Sequence, residues 1–252
     1  MNSKNLLRSV FLTLLLLTGF AAAQIDDRAR ELIEGLATAE QSSDLQTMDM
    51  TMTMFIPDAE GVGDITTTTR SLIDYVGRRA VIISELAEGM STRMVHIDGQ
   101  TSMYMSGMNM ALPVPPAMAG VFDTMFEPDT YGNMLEQDGV TATYDGEVSY
   151  GDLLAGEQVT VTGDFTGMDV PGMTESSVTK MVFGPGGEPL GVVTESDGNT
   201  IVMVYDEAWD PSKIVPPNTT MYEFADGSGT LYATMTYENV SVNEPLDETL
   251  FE

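Results

Sequence analysis

The chain has 252 residues, no cysteine, 39 acidic and 10 basic residues, and a formal net charge of −29. Without thiols there is no disulfide, thiol nucleophile, cysteine-based zinc or iron–sulfur site, or thioether-linked lipid near the amino terminus. So acidic a surface is a poor partner for nucleic acid or anionic headgroups, and the length allows one sizeable core.

The first 23 residues read as a cleaved signal peptide, leaving one domain over 24–252. Lys4 and Arg8 begin it, Val10 to Phe20 form a short apolar stretch, and Ala21, Ala22 and Ala23 precede the cleavage point. That stretch is too short for a comfortable membrane span and no later one is longer, so the mature chain is expected to be exported and not membrane-spanning. A periplasmic monomer is expected.

Asp26 to Gln41 predicts a helix, with Ala29, Leu32, Ile33, Leu36 and Ala37 on one stripe and Asp26 or Asp27 as the cap. Next come four methionines at alternate positions, Met48, Met50, Met52 and Met54, in a strand from Met48 to Phe55. Period two places all four on one face, and thioethers make that face apolar and adaptable. Ile65 to Tyr75, Arg79 to Leu86, Met90 to Ile97 and Thr101 to Met105 read as further strands of a meander. A second methionine set follows at Met103, Met105, Met108 and Met110.

Pro113, Pro115 and Pro116 break the sheet pattern. Pro116 opens a predicted helix whose stripe is Met118, Val121, Phe122, Met125 and Phe126. A shorter helix is expected over Tyr131 to Gln137. Later strands are predicted over Val159 to Gly163, Val178 to Phe183, Leu190 to Thr194, Thr200 to Tyr205, Thr220 to Phe224 and Leu231 to Val242. About ten or eleven antiparallel strands with few helices imply an α+β fold: one curved sheet, a half-open barrel, wrapped around helices.

Catalytic patterns are missing. His96 is the one histidine, no G-x-S-x-G elbow surrounds a serine, and no phosphate-binding glycine motif is present. No enzyme activity and no cofactor are expected, and His96 is read as a structural strand residue. Met-x-Met spacing also fits a Cu(I)-binding protein, but residues two apart on a strand sit about 6.6–6.8 Å from one another and make a better lining than a chelate.

Three places in the chain resemble the LolA-like periplasmic lipoprotein carriers, the superfamily that includes LolB and RseB. They are the amphipathic helix running into a first strand, the stretch from Met94 to Met105 around Asp98-Gly99-Gln100-Thr101, and the carboxyl end. The last runs from Met235 to Asn243 and continues through Pro245-Leu246-Asp247 to Leu250-Phe251. The resemblance implies an apolar concavity that binds acyl chains of lipoproteins or other envelope lipids. It implies an inner-membrane ABC transporter as donor and an outer-membrane acceptor. Met48, Met50, Met52, Met54, Met103 and Met105 would line the cavity, and the stripe from Met118 to Phe126 would be its lid. Arg70 is the nearest counterpart of the arginine that holds the lid helices, although Ser71 rather than proline follows it. A sensing module of the same fold that ferries nothing is the alternative.

Overall fold

The structure is a computed structural model that describes residues 25–37, 45–58, 61, 63–85, 89–106, 111–112, 114, 122, 126, 135, 139–163, 177–196, 198–210, 213 and 215–251. One helix, α1 (Asp27–Ala37), precedes five strands: β1 (Thr47–Ile56), β2 (Ile65–Asp74), β3 (Arg79–Glu85), β4 (Ser91–Ile97) and β5 (Gln100–Met105). Seven more follow: β6 (Thr141–Tyr150), β7 (Leu154–Gly163), β8 (Ser177–Phe183), β9 (Pro189–Ser196), β10 (Asn199–Tyr205), β11 (Thr219–Ala225) and β12 (Ser228–Val242). A 3₁₀ turn, Glu248–Phe251, comes last. Among the described residues no helix is long and apolar enough to cross a membrane.

All twelve strands form one sheet in the order β5-β4-β3-β2-β1-β12-β11-β10-β9-β8-β7-β6, with every neighbouring pair antiparallel. The sheet is curved and does not close. Register shifts at Asp49/Thr51, Met221/Tyr222, Tyr144/Gly146 and Val182/Phe183 supply local bends. Among the described residues an isolated bridge lies beside each outer edge. Leu112 N donates to Met103 O at 2.7 Å beside β5, and Asp26 N donates to Ala142 O at 2.9 Å beside β6.

The eleven predicted strands are present, with ends shifted by a few residues. The unforeseen strand is β6. Asp145-Gly146 in its middle reads as a turn, yet Gly146 (φ 85°) takes up a bulge while pairing with β7 continues on both sides. Residues 38–44, the predicted leader 1–23, Met108 and Met110 lie outside the described residues. Of the predicted lid helix, Phe122 is helical and Phe126 sits in a turn, whereas Met118, Val121 and Met125 lie outside the described residues. The expected Tyr131 to Gln137 helix has only Leu135 within them.

Helix α1 forms where its stripe and cap predict. The Asp26 carboxylate accepts a hydrogen bond from Arg28 N at 2.9 Å. Ala29, Leu32, Ile33 and Leu36 are buried against Val159, Val161, Met181 and Phe183 on the concave face. Arg28 fastens the helix sideways, reaching the Glu157 carboxylate at 2.8 Å.

The convex face is held from two sides. On β2–β4, Leu72, Val81 and Val95 receive Phe251, with Leu246 and Leu250 packed alongside. This explains the closing sequence pattern, which returns the carboxyl end to the first half of the sheet. Arg79 clamps it. Its guanidinium donates to both Glu248 oxygens at 2.6 and 2.7 Å and to Asp74 at 2.7 Å, and lies 4.5 Å over the Phe251 ring. Arg93 also donates to the Leu250 carbonyl. On the other half, Leu154 packs on Val182, Val193 and Val202. Gly191 admits this approach, since a Cβ there would sit 3.0 Å from Leu154 Cδ2 and 2.2 Å from Met203 O.

Hydrogen bonding to Arg79 holds the Glu248 carboxyl below its ordinary value of 4.5. A depressed carboxyl stabilises the fold above its unfolded value, and that contribution disappears as pH falls through the folded one. Glu248→Gln should therefore lower the melting temperature at neutral pH, and its gap from wild type should narrow below about pH 4. Calorimetry at both pH values checks this, and a gap indifferent to acid would refute the clamp.

Candidate ligand-binding face

Antiparallel partners share a face, so the register shows what the concave wall contains. Met48, Met50, Met52 and Met54 stand opposite Ile73, Ser71, Thr69 and Thr67 of β2. On their other side Met52 faces Tyr237 and Met54 faces Met235. The wall continues through Thr219, opposite Met235, to Met221, which faces Met203, and then through Val192 to Met181. Toward the other edge it runs from Ser71 to Ile82, Met94 and Met103, with Met105 opposite Thr92. Thioethers from β1, β4, β5, β8, β10, β11 and β12 thus share one surface.

The structure brings Met48, Met50, Met52, Met54, Met103 and Met105 onto that one face. Sequence reasoning missed Met94, Met181, Met203, Met221 and Met235. Each is the lone methionine of its strand, so no local repeat marks it. Alternation within a strand gives two faces, and only the register says which of them joins the wall.

The covering is uneven. Phe122 (0% exposed) and Phe126 bury Met48 together with Ile73 and Ala80, while Met50, Ile82, Met94, Tyr75 and Val215 pack around them. The His96 ring stacks on Phe122 with centroids 5.0 Å apart and planes 16° from parallel, and Phe126 lies 5.5 Å away. His96 Nδ1 is 2.9 Å from Thr101 Oγ1. His96 is a buried strand residue beneath the cover, in keeping with a structural part. Burial also pushes the Tyr75 hydroxyl up to about 12. Over the other half, α1 and Leu135 cover Met181.

Between these covers the wall is only half-buried at Met50, Met52, Met54, Met94, Met103, Met105, Met203, Met221 and Met235. A cavity of about 760 Å³ opens next to it, with Tyr237 and Val242 from the concave side of β12, Val215 and Pro216 opposite, and Asp206 and Lys213 at the rim. Val215 also touches the Phe122 cluster, so the cavity and the aromatic cover adjoin. Burial raises the Tyr237 hydroxyl above its ordinary value.

Arg70 is placed differently from the expectation. It stands opposite Thr51 on the convex face and donates to the Asp49 carboxylate at 3.0 and 2.7 Å. Phe122 and Phe126 lie across the sheet from it, so a lid-locking contact to them is not made. A side chain's face follows strand parity, and Arg70 has the parity opposite to the methionines' partners.

The architecture is shared with solved proteins. A LolA superfamily protein from Nitrosomonas europaea superposes with a TM-score of 0.51 at 11% identity, over 89% of this chain and 97% of that one. A DUF1329 family protein from Desulfovibrio piger does so with a TM-score of 0.50 at 11% identity, over 90% and 98%. No protein-family model matches the sequence, and no curated protein matches it. The chain has a LolA-like fold: a half-open barrel with a helix against its concave face.

A fixed core phenylalanine replaced by alanine costs about 3–5 kcal/mol. If Phe122 is a releasable cover, Phe122→Ala should cost less than that in urea unfolding and should speed uptake of a fluorescent fatty acid. A loss in the full core range with no change in uptake would make Phe122 ordinary core. Met50→Asp with Met52→Asp should abolish uptake, because an unpaired carboxylate on this wall costs more than apolar contact returns.

Proposed function

We propose that the protein is an exported, non-catalytic carrier that takes acyl chains onto its methionine wall. The cargo is the acyl part of lipoproteins bound for the outer membrane, received from an inner-membrane ABC transporter and passed to an outer-membrane acceptor. The observation that carries this reading is a concave thioether wall, half-buried across six strands, with an aromatic cover at one end and a cavity beside it. The leader at 1–23 supports a periplasmic location, and the LolA-like fold supports a carrier over an enzyme.

The energetics suit reversible loading. A buried phenylalanine covers about 150–250 Å². At about 25 cal/mol per Å², an acyl chain that displaces Phe122 and Phe126 restores what their departure exposes. Loading and release then differ by little, as a carrier requires. Methionine allows the wall to repack around either occupant, where branched side chains would hold one shape.

Native mass spectrometry of the exported protein should show bound acyl species, and the protein should release a lipoprotein from inner membranes in soluble form. Binding without release would turn the reading toward a sensing module of the same fold. No binding at all would end it. One rival has its own footing, because Met94 faces Met103 and Met203 faces Met221 across adjacent strands, pairs that suit Cu(I). Stoichiometric Cu(I) uptake against a competing chelator, without lipid binding, would favour that rival.

A further inference from the structure

We infer that the β1 methionines Met50, Met52 and Met54 are a reversible oxidation site, and that their sulfoxide form rejects apolar cargo while the fold persists. The inference rests on the acyl-binding reading for the cargo and on the β1–β2 register for the rest.

The chain has 20 methionines and no cysteine, so every sulfur in it is a thioether. Two wall positions are shut away, Met48 at 6% and Met181 at 7% exposure, under Phe122 and α1 respectively. Met50, Met52 and Met54 are half-buried, Met50 at the margin of the Phe122 cluster. What sets these three apart is that their partners form an unbroken run. Directly opposite them on β2 stand Ser71, Thr69 and Thr67, three hydroxyls in a row. Met48, by contrast, faces Ile73. Thr69 shares a hydrogen bond with Ser84 at 3.1 Å, which extends the row to β3.

The chemistry is a two-electron oxygen transfer. With hydrogen peroxide, the sulfur lone pair attacks one peroxide oxygen, the O–O bond breaks, and water leaves. Sulfur is oxidised and the peroxide reduced. A dithiol-dependent sulfoxide reductase reverses it, giving thioether, disulfide and water. The new sulfoxide oxygen is a strong acceptor. In a purely apolar wall it would be unsatisfied and would unfold its surroundings. Cross-strand partners have Cβ atoms about 4.5–5.5 Å apart, so the Ser71, Thr69 and Thr67 hydroxyls are within reach to donate to it. The row lets the wall become polar without losing the sheet. A polar, hydrogen-bonded wall is a poor surface for an acyl chain, and cargo affinity should drop at least about tenfold.

The full mature chain would be treated with dilute hydrogen peroxide, mapped by peptide mass spectrometry, and tested for fluorescent fatty-acid binding and thermal melting. Met50, Met52 and Met54 should oxidise before Met48 and Met181, bound fatty acid should protect them, and affinity should fall with a largely preserved melt. Methionine sulfoxide reductase should restore binding. Met90, 51% exposed and ahead of β4, is the control: Met90→Leu should leave the peroxide response as it was. Replacing Met50, Met52 and Met54 by leucine should make binding insensitive to peroxide, whatever its starting affinity. Thr67→Val with Thr69→Val should make the oxidised protein, and not the reduced one, melt early.

Oxidation that reaches Met48 as fast as Met52, or oxidised protein that binds as before, overturns the inference. So does an oxidised wild type that melts as early as the valine variant. An untreated protein that binds no fatty acid sinks the carrier reading and the cargo half of the inference with it, and the oxidation order and the melts still judge the hydroxyl row.

Discussion

Pairing of β1 with β12 organises the molecule, because it places the strand after the helix against the strand before the final turn. Everything between divides into two wings, and the free edges become β5 and β6, which are consecutive in the chain. The connection between them has to travel from one edge of a twelve-stranded sheet to the other. At about 4.8 Å per strand spacing that is roughly 50 Å if flat and less when curved. Its described residues mark the route: Phe122 and Phe126 lie over β1–β4, and Leu135 lies beside α1 over β6–β8. The cover on the concave face is thus a product of topology.

The two faces are then stabilised by different means. The convex face is fastened by shape and charge: Phe251 under Arg79, Leu154 against Gly191, Arg70 on Asp49. Such contacts fix one geometry. The concave face has adaptable thioethers at its centre and conventional packing only beneath α1 and the phenylalanines. A rigid outside permits a loosely covered inside, because the sheet keeps its curvature without help from a filled centre.

Several of the few cations, Arg28, Arg70, Arg79 and Lys180, sit in ion pairs that join separate strands or elements. With these bases paired, the surplus of carboxylates leaves a net negative charge that repels anionic surfaces.

Local sequence was enough for the strands, the helix stripe and the first methionine face, because alternation and the 3.6-residue repeat act over a few neighbours. It left β6 unassigned: Asp145-Gly146 has turn chemistry, and only pairing with β7 reveals a bulge. The closing Pro245 to Phe251 pattern was legible as a pattern, but its docking on Leu72, Val81 and Val95 was not. The rest of the wall was beyond reach: Met181, Met203, Met221 and Met235 join it through hydrogen-bonded registers between distant strands. So did the side of the sheet on which Arg70 falls and the hydroxyl row facing β1. A strand's own residues settle that it has two faces. Which face lines the hollow is settled by its partners, and a shift of one residue would reverse it.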